Sequence, residues 1–151
     1  MEFWLQQNSD KFQLPVKPSD YTVSVAHKNT VVNVIQVGDV NLIGNTGLRE
    51  ISLKSFFPAK DYNFSNNAGR KQPLTYVEKI ESWRKSGTPI RVIITGTINM
   101  EATVESFVWG EQDATGDIYY TCNLKEYKKI KTKKATVTIA TVKPTTRATK
   151  P

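Results

Sequence analysis

Apolar positions in residues 73–127 change period once, from three or four residues to two. Tyr76, Val77, Ile80 and Trp83 recur three or four apart and predict one helix with a single apolar stripe. Pro73 suits a first helical turn, where its missing N–H costs nothing. Thr75 and Glu78 have the spacing of a capping box. Gly87 stands where a left-handed residue closes a helix, and Pro89 prevents continuation. A β-branched run at residues 90–94 follows. Residues 100–109 alternate, with Ala102, Val104 and Val108 assigned to one face and Thr103, Glu105, Phe107 and Trp109 to the other. Ile118, Tyr120, Cys122 and Leu124 then share a face. Gly96-Thr97 and residues 113–117 are the turns, so the region reads as a helix feeding a three-strand meander.

The preceding residues carry strand signals only. Residues 2–6 and 11–14 predict a hairpin around Asn8-Ser9-Asp10. Pro15 and Pro18 exclude a central strand from residues 15–20. Strands are expected at 21–25, 30–37 and 40–43, with turns at Lys28-Asn29, Gly38-Asp39 and 44–47. A longer strand turns Leu48, Ile51, Leu53 and Phe57 inward, with Glu50, Ser52 and Lys54 outward. Residues 59–72 have no periodicity and are long for a connection in a small domain. Such loops are commonly contact surfaces, which makes Arg70 and Lys71 candidate interaction residues, and Tyr62 and Phe64 would anchor the loop at one end. The expected class is mainly β with one helix (α+β): an antiparallel β-sandwich or partly open barrel flanked by that helix. Residues 1–134 form one β-rich domain and residues 135–151 an extended Thr/Lys/Pro linker.

Charge changes this picture only at one end. The 151 residues carry a net charge of +7, yet the first 124 hold 12 bases against 13 acids. From Lys125 onward there are nine bases and one acid, Glu126. The excess therefore lies in the tail, where Lys128, Lys129, Lys131, Lys133 and Lys134 form a run and Val137 and Ile139 sit on one side of an alternating segment at 136–142. This places the candidate contacts with partner chains there. Apolar runs fall short of a bilayer span, and Glu2 stands where a signal peptide wants basic residues. The one cysteine, Cys122, falls on an inward face and reads as a small buried apolar residue.

No catalytic constellation emerges. The one histidine, His27, has no orienting carboxylate or nucleophile implied beside it. Glu101 and Glu105 lie on the solvent side of their strand and, with Glu111, Asp113 and Asp117, are expected to form an acidic patch near one hairpin. Gly38, Gly44 and Gly47 sit between strands, away from any helix N-terminus that would complete a phosphate site. The sequence thus implies a non-enzyme without cofactor, metal or small-molecule substrate. The lysine run has Tyr127 as its sole aromatic, which argues against single-strand nucleic-acid binding.

Several spaced segments carry a resemblance. Residues 47–59 (Gly-Leu-Arg-Glu-Ile-Ser-Leu-Lys-Ser-Phe-Phe-Pro-Ala), 73–83, 87–94, and 116–120 leading into 124–127 are similar, in order, to segments of tail proteins of contractile phages. They resemble the LysM-containing, XkdP-like baseplate proteins of PBSX-type particles and of phage-tail-like bacteriocins, over about residues 1–134. The resemblance implies a structural part at the hub end of the tail, joining the central hub and tube to surrounding baseplate proteins. The implied partners are hub, tube, baseplate wedge and tape-measure proteins, together with copies of itself in a ring. The implied location is the tail baseplate of a particle assembled in the bacterial host cytoplasm. Members of that family usually carry a C-terminal LysM module, and residues 135–151 resemble the linker that precedes it.

Two other classes stay open from the residues. One is a carbohydrate (peptidoglycan)-binding module, with Trp109 as the better surface platform than Trp83, which belongs to the helix stripe. The other is nucleic-acid binding through the basic tail, whose signature would be steep salt dependence.

Overall fold

The computed structural model describes residues 1–130. Its elements are β1 (Phe3–Gln7), β2 (Asp10–Gln13), β3 (Tyr21–His27), β4 (Thr30–Val34), β5 (Gly38–Leu42), β6 (Thr46–Phe57), α1 (Pro73–Lys85), β7 (Ile90–Ile94), β8 (Ile98–Glu111) and β9 (Ile118–Glu126). Seven strands form one antiparallel sheet in the order β2-β1-β7-β8-β9-β6-β3, and β4 pairs with β5 separately. The sheet does not close into a barrel, because β2 and β3 remain its edges. It curls far enough for Phe3 on β1 and Tyr21 at the start of β3 to meet edge-on, with ring centroids 5.6 Å apart. The result is the expected α+β class, mostly β, sandwich-like, with one helix.

β8 makes the curl. Its first residues pair with β7 (Ile90↔Ala102 to Ile94↔Ile98), and the rest pair with β9 (Ala102↔Glu126 to Glu111↔Ile118). One strand thus belongs to both halves of the sandwich. The register slips between Val104 and Ser106, leaving Glu105 as the extra residue of a β-bulge. A bulge inverts the alternation beyond it. Met100 and Ala102 are buried before it, but after it Phe107 packs on the core and Val108 is 65% exposed. The sequence expectation had those two faces reversed past Val104, since a strict period of two cannot register one added residue.

The helix lies over the inward face with Tyr76, Val77, Ile80 and Trp83 buried, the stripe expected from the sequence. Tyr76 stacks on Phe57 at 5.0 Å and Phe12 packs against Trp83 at 5.5 Å. Pro73 occupies the first turn as expected, but the capping box does not form. Gln72 is the N-cap, with no side-chain cap bond, and Thr75 is already inside the helix, its amide donating to the Gln72 carbonyl at 3.0 Å. At the other end Gly87 has φ +67°, the left-handed conformation that a glycine adopts without a Cβ clash. The buried Gln7 amide of β1 donates to Ser86 Oγ at 3.0 Å and to the Thr88 carbonyl at 2.9 Å, tying the first strand to the helix exit.

Cys122 is buried on the inward face, as expected, and burial pushes its thiol up to about 12. Tyr120 on the same face is buried, and its hydroxyl has no hydrogen-bond partner among the described residues. Its register neighbour, Ser55, donates instead to the Val16 carbonyl at 3.0 Å.

Candidate interaction surface

The strands expected at 21–25, 30–37 and 40–43 build one feature rather than separate hairpins. β3 runs along β6 as far as His27↔Thr46, and β4 runs along β5 from Thr30↔Leu42 to Val34↔Gly38. Lys28 and Asn29 do not reverse the chain. The Lys28 amide donates to the Asn45 carbonyl at 3.0 Å, and Asn29 Oδ1 accepts the Gly44 amide at 2.9 Å, so the two strands jog and continue outward. A Cβ on Gly44 would lie 1.7 Å from the Lys28 carbonyl oxygen, so only glycine fits this crossing. The reversal comes at Ile35-Gln36-Val37, one step before the Gly38-Asp39 turn expected, with φ +68° at Gln36 and +91° at Gly38.

The last pair between β6 and β9 is Glu50↔Lys125. Everything from Thr46 to Arg49, with its partners on β3 and the β4–β5 hairpin, therefore projects past the β9 end of the sheet. From Val25 to Ile35 this arm extends about 33 Å at strand rise. Its surface is apolar. Val25, Val31, Val34, Val37 and Leu42 are exposed, as are Ile35 at 87% and Ile43 at 86%. Leu48, expected inward, is also exposed, because it lies on the arm and has no sheet to pack against. Residues 21–42 contain two charges, Lys28 and Asp39. Isolated two-stranded ribbons are marginal in water, and exposed apolar patches mark contact sites.

A second surface lies at the opposite end of β6. There the loop at 59–72 folds back over the outer face. Tyr62 stacks on Phe64 at 5.1 Å, and both meet Phe56, which packs on Tyr119 at 5.2 Å. The loop is held by Asp117, a carboxylate only 2% exposed. It accepts the Ala59 amide at 2.7 Å and the Tyr62 hydroxyl at 2.5 Å. Because Tyr62 donates to that anion, its hydroxyl is raised to about 12. Arg70 pairs with Asp61 at 3.0 Å and donates to the Pro58 carbonyl, while the Lys71 amide donates to the Tyr76 hydroxyl at 3.1 Å. These two candidate residues thus sit where the loop rejoins the helix.

Glu101 and Glu105 do not join Glu111, Asp113 and Asp117 in one patch. β8 separates Glu101 from Glu111 by ten residues, about 33 Å. Glu101 receives Lys129 at 2.9 Å near the exit of the chain, and Glu105 accepts the Thr103 hydroxyl at the bulge. His27 is exposed at the end of β3. Among the described residues no group of three or more His, Cys, Asp or Glu is placed to hold a metal ion. Lys128 stands 3.9 Å from Glu126. Trp109 is 45% exposed and lies with Leu74 and Glu78 along a groove beside the helix. Lys131, Lys133, Lys134, Val137 and Ile139 lie outside the described residues.

The arm was the feature sequence reasoning missed. Its signal was the near absence of charge in residues 21–42, where alternating polar positions would protect a solvent-exposed face. Asp117 was read as a turn residue and a member of an acidic patch, and nothing local marks it as buried.

No family model matches the chain. It is 41% identical over 142 residues to the uncharacterized protein YqbP of Bacillus subtilis (strain 168), covering 89% of this chain and 65% of that protein. The chain thus spans about two thirds of its relative's length. Its fold is shared with a chain of the virion of the native gene transfer agent particle (13% identity, TM-score 0.52, 84% of this chain and 92% of that one). A chain of the sixfold-symmetrised anti-feeding prophage baseplate superposes less well, at 12% identity and TM-score 0.41 over 84% of this chain and 87% of that one.

Proposed function

We propose that this chain is a structural component of a contractile phage tail or tailocin baseplate, joining the central hub and tube to the surrounding baseplate proteins. The observation that carries this reading is the arm. A ribbon about 33 Å long, with Ile35 and Ile43 almost wholly exposed, is stable when a partner covers it. The body beneath it is a packed scaffold whose acids serve structural bonds: Asp117 holds the loop and Glu101 holds Lys129. The fold shared with a gene transfer agent virion chain supports an assembly of the same general kind.

In this reading the loop at 59–72, with Arg70 and Lys71, faces a neighbouring tail protein. Residues 135–151, with the lysines that precede them, reach to another copy and tie a ring of subunits. A LysM module following this linker would be a separate docking unit. The test is a host that produces the particles with a tagged chain. Wild type and a His27→Ala/Glu101→Ala/Glu105→Ala variant should both be recovered in purified particles. A variant with residues 30–42 replaced by a two-residue turn should fold and stay out of them. Full incorporation of the armless variant, or loss of a hydrolytic activity in the triple variant, overturns the reading.

A further inference from the structure

Between the outer edge of β2, the 59–72 loop and the first turns of α1 lies a cavity of about 290 Å³. Lys11, Lys71 and Lys79 all line it, against one carboxylate, Asp10. Asp10 takes Lys79 at 2.6 Å, which uses one of the three donors of that ammonium. The Lys79 side chain is 19% exposed, with Nζ 5.5 Å from the Phe12 ring and 5.6 Å from Trp83, so it does not stand in water as an edge-guarding lysine does. Lys11 Nζ sits 5.4 Å over Trp4, and neither Lys11 nor Lys71 pairs with a carboxylate among the described residues. Tyr76, 5% exposed, also lines the cavity. Its hydroxyl accepts the Lys71 amide at 3.1 Å and donates to no described residue, so its proton is unspent. A buried donor without an acceptor costs free energy that a ligand oxygen would recover.

The same cavity exposes main-chain groups. The Leu14 amide donates to the Phe3 carbonyl, and pairs in an antiparallel ladder alternate. Phe12 therefore also faces β1, while Lys11 and Gln13 turn their N–H and C=O groups to the outer edge. The loop has already taken the next outward group. The Asn66 amide donates to the Pro15 carbonyl at 2.7 Å, and Asn66 Nδ2 donates to Gln13 Oε1 at 2.7 Å. Asn66 at one end and the Asp10–Lys79 pair at the other thus bound a short open edge, about 10 Å at strand rise.

We infer that this cavity binds a short extended peptide bearing an acidic side chain. The peptide pairs with Lys11 and Gln13 along the β2 edge, and its carboxylate lies among Lys71, Lys79 and the Tyr76 hydroxyl. That the peptide belongs to a neighbouring tail protein rests on the assembly reading above. Added strands derive affinity from main-chain hydrogen bonds and selectivity from alternate side chains. Ammonium–carboxylate contacts are charge-assisted and stronger than neutral ones. The edge also selects a peptide over other anions. Lys11 and Gln13 each offer one donor and one acceptor, the main-chain pattern of another strand, whereas a phosphodiester backbone brings acceptors alone.

A displayed library of random heptapeptides is selected on the purified full-length chain, and the most enriched peptide is synthesised for binding. Asp and Glu should be enriched at least fivefold over the library. Lys71→Glu should weaken binding at least tenfold, and Lys71 is exposed, so this variant keeps its fold. Proline at the central position of the peptide should weaken binding to the same degree. Lys79→Gln should weaken it too, with far-UV spectrum and Tm separating lost binding from lost fold. Amide hydrogen exchange at Lys11 and Gln13 should slow at least tenfold in the complex. A selection that yields no binder or no acidic bias, indifference to Lys71→Glu or to the central proline, or unchanged exchange at both amides overturns the inference. So does full displacement of the peptide by an equal concentration of inorganic phosphate or of an oligothymidylate, the behaviour of a plain anion site. These measurements need no particles. If they fail while the armless chain stays out of particles, the peptide site falls and the assembly reading stands. If they succeed while the armless chain enters particles, the site stands and the assembly reading falls.

Discussion

Tyr62 donates its hydroxyl to Asp117 at 2.5 Å, joining a loop residue to the turn before β9, 55 positions later in the sequence. The same carboxylate takes the Ala59 amide, so one buried acid holds both the start and the middle of the 59–72 loop. The Tyr62 proton is retained to about 12 in the folded chain against an ordinary 10. A hydroxyl with a raised pKa contributes stability that is fully present below pH 10 and is lost as pH rises toward 12. The loop should therefore loosen across that window, read as a rise in tyrosinate absorbance and in trypsin cleavage after Arg70 or Lys71. In Tyr62→Phe the cleavage rate should no longer depend on pH in that window beyond the protease's own profile.

Asp117→Ala should cost about 1.5–3 kcal/mol, the scale of hydrogen bonds to a charged acceptor. It should also raise tryptic cleavage near Arg70-Lys71 in the free chain, while assembled particles protect that site. Denaturant unfolding together with limited proteolysis measures both. An unchanged midpoint would mean that the loop is held by Arg70 and Asp61 alone.

The bulge at Glu105 separates two neighbouring substitutions. Phe107→Ala removes a ring packed on the core and should lower stability by about 3–5 kcal/mol at most, less for its partial exposure. Val108→Ser alters a side chain 65% exposed and should stay within about 0.5 kcal/mol. Deleting Glu105 removes the extra residue and should leave Phe107 inward, opposite Cys122, so it should cost less than Phe107→Ala. The reverse order of midpoints for the two substitutions would restore uninterrupted alternation.

Ile80 is 1% exposed in the helix stripe. Ile80→Ala should cost about 2–5 kcal/mol and lower Tm accordingly. An unchanged melting curve would place the stripe against a partner instead of this sheet.

Tyr120→Phe should be neutral or stabilising. Its hydroxyl is buried without a partner among the described residues, and burial pushes its ionisation well above the ordinary tyrosine range. Removing an unpaired polar group takes away a desolvation cost of about 1–3 kcal/mol. A fall in Tm would show that the hydroxyl is bonded in solution.

Local pattern alone determined the helix and most strand positions. The stripe Tyr76, Val77, Ile80 and Trp83, the closing Gly87 and the alternation through Cys122 are set by side-chain spacing within one element, and the structure keeps all of them. The near absence of charge in residues 21–42 was likewise present in the sequence, though its meaning depended on knowing that no layer of the described residues covers it. Tertiary structure decided what spacing cannot carry. Whether Lys28-Asn29 turns or merely jogs depends on the Asn45 carbonyl and on Gly44 opposite it. The faces of Phe107 and Val108 depend on one extra residue against β9, and the role of Asp117 depends on donors 55 and 58 positions away. Each is a contact between distant segments, and a period read along one strand contains no information about which residue of another strand will stand across from it.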